Sequence, residues 1–163
     1  MSYLPWAMAL GVGATALVDL WALARRQLLG VPLPDYGLVG RWLAHLSRGR
    51  FSHRSIAGAA PIGGEQFIGW MAHYLTGVAF AQILLGVAGV RWLRCPTLAP
   101  AMTVGICTVA APFLLMQPGM GAGIAASRTR RPNVARAHSL VTHAVFGFGL
   151  FLAGLLARRL IPS

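Results

Sequence analysis

Long apolar stretches separated by short polar segments are the dominant pattern of the chain. Four of these stretches approach or exceed the roughly 20 residues that an α-helix needs to cross the hydrocarbon core of a bilayer. Lipid offers the backbone no hydrogen-bond partners, so stretches of this kind form helices. The pattern therefore predicts an all-α membrane protein, as a single membrane-embedded helical domain, with four transmembrane helices at 4–26, 65–90, 98–117 and 137–158.

The third apolar stretch is longer than one membrane crossing requires. No charged residue occurs between Thr97 and Ser127, yet Pro112 and the sequence QPGMG at 117–121 interrupt the stretch. Proline and glycine end or kink a helix because they remove a donor or weaken the backbone preference. Two interpretations stay open: the helix ends near Gln117 and 118–127 is interfacial or re-entrant, or the helix continues with a kink.

The polar loop 30–64 contains a short helix of its own. Asp35 is an N-cap residue for a helix over 36–46, and the large apolar residues of that helix share one face. Arg41 and His45 lie off this face. The apolar residues are Leu38, Val39, Trp42, Leu43 and Leu46. This pattern is typical of an amphipathic helix that lies on a membrane surface.

Composition agrees with a membrane protein and argues against nucleic-acid binding. The chain is 56% hydrophobic and 10% charged, whereas soluble domains have about 25% charged residues. Its net charge of +11 comes from arginines that flank the apolar stretches instead of forming one basic face. Most arginines fall in the first and third loops, and the positive-inside rule then puts both loops in the cytoplasm and both termini outside.

Three ionisable residues, Asp19, His73 and His143, lie within apolar stretches. Ionisable groups inside a membrane are costly and face the interior of a helix bundle or a site. Each also belongs to a stripe of small residues four apart, which marks a face where helices approach closely. The stripes are Ala7-Gly11-Thr15-Asp19, Gly69-His73-Gly77-Ala81 and Ser139-His143-Gly147. The helical rise places the three groups at about one depth, in the cytoplasmic half.

The first functional hypothesis is a polar cavity that opens to the cytoplasm and binds or translocates a small polar or anionic solute or ion. Such a site suits proton coupling through Asp19 or a histidine. Four helices make a small transporter, so a homo-oligomer or a larger complex is expected. The predicted lining is Asp19, His73, Gln117 and His143, with Arg41, Arg48, Arg50 and Arg54 around the mouth.

Three alternatives remain open. In a b-type haem protein, His73 and His143 would be the axial ligands, and glycines four residues away would make room for the macrocycle. In a metal-dependent membrane enzyme, the same histidines and Asp19 would bind a divalent ion, although the chain lacks the common enzyme motifs and we favour a non-enzymatic role. The glycines that would make room for the haem are Gly69, Gly77 and Gly147. In the third alternative, the chain is a structural subunit of a larger membrane complex.

Several segments together resemble a family of uncharacterised bacterial integral membrane proteins, a domain of unknown function. The resemblance covers nearly the whole chain and implies a small multi-pass protein of the bacterial inner membrane, but no activity. The segments are 35–42 (DYGLVGRW), 48–51 (RGRF), 72–74 (AHY), 111–118 (APFLLMQP) and 138–143 (HSLVTH).

Overall fold

A computed structural model describes residues 3–160 and shows helices and no strand within that range. Four of the five main helices are long and apolar enough to span a membrane, which confirms the predicted fold class. The main helices are α1 (Leu4–Leu29), α2 (Tyr36–Leu46), α3 (Glu65–Ala88), α4 (Leu98–Met120) and α5 (Pro132–Arg158). Short 3₁₀ turns lie at Ile56–Gly58, Val90–Leu93 and Ile124–Ala126.

Helix α4 ends at Met120 and so continues past Gln117, where one of the two interpretations of the sequence ended it. It is α-helical over Leu98–Cys107, forms a π-helical turn at Pro112–Met116, and ends with the α-helical turn Gln117–Met120. The turn widens at Pro112, and the backbone N–H of Gln117 bonds to the carbonyl of Pro112 instead of to a residue four positions back. The chain leaves the helix at Gly121, whose positive φ of 96° suits glycine.

The chain divides into two compact units. Among the described residues, the first unit consists of 3–33, 74–108 and 141–160, and the second of 34–73 and 109–140. Helices α3, α4 and α5 contribute residues to both units. Each unit is described here by itself.

In the first unit, α1 and α3 meet along two of the predicted small-residue stripes. A side chain at Gly11 would collide with the backbone of Val78, and one at Gly77 would collide with Thr15. Ala81, one turn after Gly77, is fully buried. The stripes therefore mark a real contact face, at which the two helix backbones approach more closely than larger residues would allow.

Helix α5 makes similar contacts with two other helices of the first unit. Gly149 lies against the backbone of Ala14 in α1, and Gly147 lies against Gly105 in α4. Leu150, which follows Gly149, is fully buried between these contacts. The third predicted stripe, which contains Gly147, thus also lies at a helix contact.

In the second unit, α2 packs against the beginning of α3. Gly40 lies against the backbone carbonyl of Glu65, and Gly69 lies against that of Tyr36. The side chain of Asp35 accepts a hydrogen bond from the backbone N–H of Leu38 at 3.4 Å, which confirms the predicted N-cap and the helix that follows it.

The face of α2 that is buried is its glycine-containing polar face. Gly37, Gly40 and His45 are buried, and Arg41 is half-buried. The five apolar residues of the opposite side are also only half-buried. The helix therefore turns its polar side toward the protein, and its apolar side is half-buried.

The contact between α1 and α3 can be tested with a substitution at Gly77. Leucine there must displace Thr15 and the neighbouring backbone, and overpacking of this kind costs about 1–3 kcal/mol. We expect Gly77→Leu to lower the melting temperature of the detergent-purified protein. Gly86→Leu is the matched control on the same helix, because no atom lies within 4 Å of the added Cβ. An equal loss in both variants would contradict the proposed packing role of Gly77.

Candidate functional site

Asp19 is half-buried on α1 and is bonded to a tyrosine of α3. The Tyr74 hydroxyl donates a hydrogen bond of 2.9 Å to Oδ2 of Asp19. A carboxylate within an apolar helix needs such a donor, because an unsatisfied polar group in a non-aqueous environment costs several kcal/mol, about 2–7 for a neutral group and more for a charge. The pair is therefore a polar contact between two predicted spans.

His143 joins α5 to α4 in the first unit. Its Nδ1 is 3.0 Å from Oγ1 of Thr108 and 3.2 Å from the carbonyl oxygen of Gly105. The Thr108 hydroxyl already donates to the same carbonyl at 2.6 Å. We therefore assign a hydrogen to Nδ1 of His143, which donates it to Oγ1 of Thr108 or to the Gly105 carbonyl. In the neutral ring Nε2 is then an acceptor.

His73 is surrounded by aromatic side chains of the second unit. Its Nε2 lies 2.9 Å from the Tyr36 hydroxyl of α2. The Tyr36 ring centroid is 4.3 Å from that of His73, and the Trp70 centroid is 5.9 Å away. The His73 imidazole is therefore in contact with Tyr36 of α2 on one side and with Trp70 of its own helix on another.

Arg41 and Glu65 form a two-point ion pair that joins α2 to the beginning of α3. Nε and Nη2 of Arg41 donate to the two carboxylate oxygens at 2.8 and 2.7 Å. Nη1 donates to the carbonyls of Ala57 and Ala59 at 3.3 and 3.2 Å, and Glu65 accepts from the backbone N–H of Ile62 at 2.9 Å. The hydrogen bond to Glu65 raises the pKa of Arg41 above its usual value.

The remaining predicted site residues have fewer contacts. Arg48, Arg50 and Arg54 are exposed. Gln117 is half-buried on the last turn of α4, and its Oε1 is buried without a hydrogen-bond partner. Arg41 was predicted to lie at the mouth of a cavity, but its charge is balanced by Glu65 in the structure.

The predicted set is distributed over both units. Asp19 and His143 belong to the first unit, and the other members belong to the second. Within the first unit, Asp19 is bonded to Tyr74 of α3 and His143 to Thr108 of α4. The members of the second unit are His73, Gln117, Arg41, Arg48, Arg50 and Arg54.

His45 and His53 of the second unit were not predicted as site residues but lie close together. His45 is buried, with Nε2 3.1 Å from the carbonyl oxygen of Ala60. The His53 ring meets it edge-on at 5.1 Å, and Nε2 of His53 is buried without a hydrogen-bond partner. The sequence signal for His45 was its place on the face of α2 that also carries Arg41.

Two hydroxyl partners were also missed. Tyr36 follows the N-cap of α2, and Tyr74 directly follows His73. Tyrosine is common at membrane interfaces, so its presence alone is no signal. The position of Tyr74 beside His73 could have singled it out, whereas Tyr36 has no such neighbour in a span.

The structure gives no support to the haem alternative. The space beside the three glycines that the hypothesis reserved for a macrocycle is filled by protein: Tyr36 lies at Gly69, Thr15 at Gly77, and the α4 backbone at Gly147. The metal alternative also lacks support, because within residues 3–160 no three His, Cys, Asp or Glu side chains are grouped so that they could hold an ion.

Comparisons with known proteins are consistent with the resemblance found in the sequence. A family model described as "Protein of unknown function (DUF2938)" matches residues 8–157. No curated protein and no solved structure matches the chain.

A double-mutant cycle tests the coupling of Arg41 and Glu65. Each of Arg41→Gln and Glu65→Gln leaves one charged partner and its neighbouring backbone groups unsatisfied. We expect each to lower the melting temperature by several degrees, and the double variant to lose less than the two losses added together. Arg48→Gln, at an exposed arginine, is the control and leaves the melting temperature unchanged. Additive losses in the double variant would show that the two side chains are not coupled.

Proposed function

The chain belongs to DUF2938, a family of proteins of unknown function, and from its helices and their polar contacts we propose that it binds or translocates a small polar or anionic solute in the bacterial inner membrane. The four long apolar helices support the membrane environment. The lack of common enzyme motifs favours a binding or transport role.

One observation carries the proposal: successive residues of α3 are bonded to ionisable or hydroxyl groups of two other helices. His73 is bonded to Tyr36 of α2, and Tyr74 is bonded to Asp19 of α1. Purely structural spans seldom carry a carboxylate and an imidazole, because such groups are expensive in lipid and usually mark the path of an ion, proton or substrate. Imidazole, carboxylate and phenol are also the groups that accept and release protons.

The proposed binding residues are Asp19 and His143 in the first unit and His73 and Gln117 in the second. Two of these side chains retain hydrogen-bonding capacity that suits a solute. Oε1 of Gln117 is a buried acceptor without a partner, and Nε2 of His143 is an acceptor in the tautomer assigned above. We propose that the exposed Arg48, Arg50 and Arg54 attract anionic groups, lipid headgroups included, to the second unit, while Arg41 holds α2 in place through Glu65.

The proposal includes an orientation and an assembly. Both termini lie outside the cytoplasm and the arginine-rich loops lie inside, as the positive-inside rule predicts. We also propose that the protein acts as an oligomer, because four helices provide little material for a translocation pathway.

The test measures solute-dependent proton movement in proteoliposomes that contain a trapped pH-sensitive dye. The probes are phosphate, malate, succinate and glutamate, each added outside at a fixed pH. We expect at least one probe to change the internal pH with the wild type, and Asp19→Asn and His73→Ala to abolish that response. Gln82→Ala changes an exposed polar residue of α3 and is the control that retains the response.

Insertion of each variant is checked by its recovery from membranes and its elution in size-exclusion chromatography. The proposal fails if both variants respond as the wild type does. It also fails if none of the four anions changes the internal pH or raises the melting temperature of the wild-type protein.

A further inference from the structure

The orientation of α2 turns its polar face toward the protein and its apolar residues to the opposite side. Its polar face is fixed toward the protein by the Arg41–Glu65 pair and by the contact of His45 with Ala60. Trp42 and the other apolar residues of the opposite side are half-buried, and the Trp42 ring lies against Gly119 of α4. In a water-soluble protein the polar face would point outward, so this arrangement suits an apolar environment beside the helix.

The contacts of α2 also place it near the boundary of the membrane. Gly40 lies against Glu65 and Tyr36 lies against Gly69, so α2 touches the first turns of a predicted span. Phe67 and Trp70, in the same turns of α3, are 70% and 39% exposed. Aromatic residues of this kind are enriched at the level of the lipid headgroups.

A basic segment, 48–54, follows α2 at the same boundary. Phe51 within it is 69% exposed, and its three arginines are exposed as well. Its backbone is nevertheless held in place, because the Trp42 indole donates to the carbonyl of Phe51 at 3.2 Å and the His53 N–H donates to the carbonyl of Gly119 at 2.9 Å. The arginines are therefore presented from an ordered backbone.

The charges of the basic segment are not balanced by carboxylates of the second unit. The whole chain has three acidic residues. In the second unit, Asp35 caps α2 and Glu65 is paired with Arg41. A partner with several anionic groups next to an apolar phase matches this surface.

We propose that α2 and the basic segment form a binding surface for anionic phospholipids, with Arg48, Arg50 and Arg54 on the phosphate-bearing headgroups and Phe51 among the upper acyl chains. Arginine suits this role because its planar guanidinium donates two parallel hydrogen bonds to a phosphate. The surface fixes the depth of α2 in the membrane and makes its stability depend on lipid charge.

The experiment measures the equilibrium binding of fluorescently labelled phosphatidylglycerol to the full chain in detergent micelles. Labelled phosphatidylcholine is the uncharged-headgroup comparison, and inorganic phosphate is the soluble competitor. We expect the wild type to bind phosphatidylglycerol in preference to phosphatidylcholine, with weaker binding at high salt. The triple variant R48Q/R50Q/R54Q should bind phosphatidylglycerol more weakly by about fivefold per arginine removed.

The matched control is R91Q/R94Q/R158Q, which removes three exposed arginines outside the basic segment and should bind phosphatidylglycerol as the wild type does. If R48Q/R50Q/R54Q melts at a lower temperature than the wild type without lipid, binding is measured with the single variants R48Q, R50Q and R54Q instead. Equal binding by both triple variants overturns the proposal. Complete competition by millimolar inorganic phosphate also overturns it, since the surface would then be a site for free phosphate.

Discussion

Close contact between helix backbones at glycine is the interaction on which the other contacts of the first unit depend. Gly11 lies against Val78, and Gly105 lies against Gly147. In lipid, helices gain little from hydrophobic association with each other, so close packing and hydrogen bonds between helices carry their stability. The bonds of Asp19 with Tyr74 and of His143 with Thr108 join the same pairs of helices that these glycines bring together.

The second unit depends on a comparable arrangement with an added ion pair. Gly40 and Gly69 let α2 lie directly on the first turns of α3, and Arg41 then reaches the Glu65 carboxylate with two hydrogen bonds. The pair balances the negative charge of Glu65, which is the first residue of α3. It also leaves the exposed arginines after α2 without a carboxylate partner, which makes them available to a ligand or a lipid.

The sequence predicted the features that depend on local pattern. The four long helices follow from the length of the apolar stretches, and α2 follows from the Asp35 cap and a regular apolar face. The stripes that contain Gly11, Gly77 and Gly147 marked helix contacts because small residues four apart share one face of a helix. Gly77 and Gly147 also show what spacing leaves undecided, because a glycine four residues from a histidine suits room for a haem as well as close helix packing.

Features that depend on contacts between distant positions could not be predicted. Nothing in the spacing of Arg41 and Glu65 indicates that they pair, and the same is true of Asp19 and Tyr74. The approach of His45 to His53 requires the loop to fold back beside Gly119. The π-helical turn after Pro112 was visible only as a proline within an apolar stretch, which also fits an ordinary kink or a helix end.

The central claim is that the chain spans the inner membrane with α2 and the basic segment on the cytoplasmic side. Exposed Cys95 lies in the loop between α3 and α4, and exposed Ser52 lies in the loop between α2 and α3, so one span separates the two positions. Labelling of spheroplasts with a membrane-impermeant maleimide should modify Cys95 in a Cys107→Ala background. The same reagent should modify Ser52→Cys, made without the native cysteines, only after lysis. Labelling of both positions in intact spheroplasts, or of Ser52→Cys alone, would contradict the account.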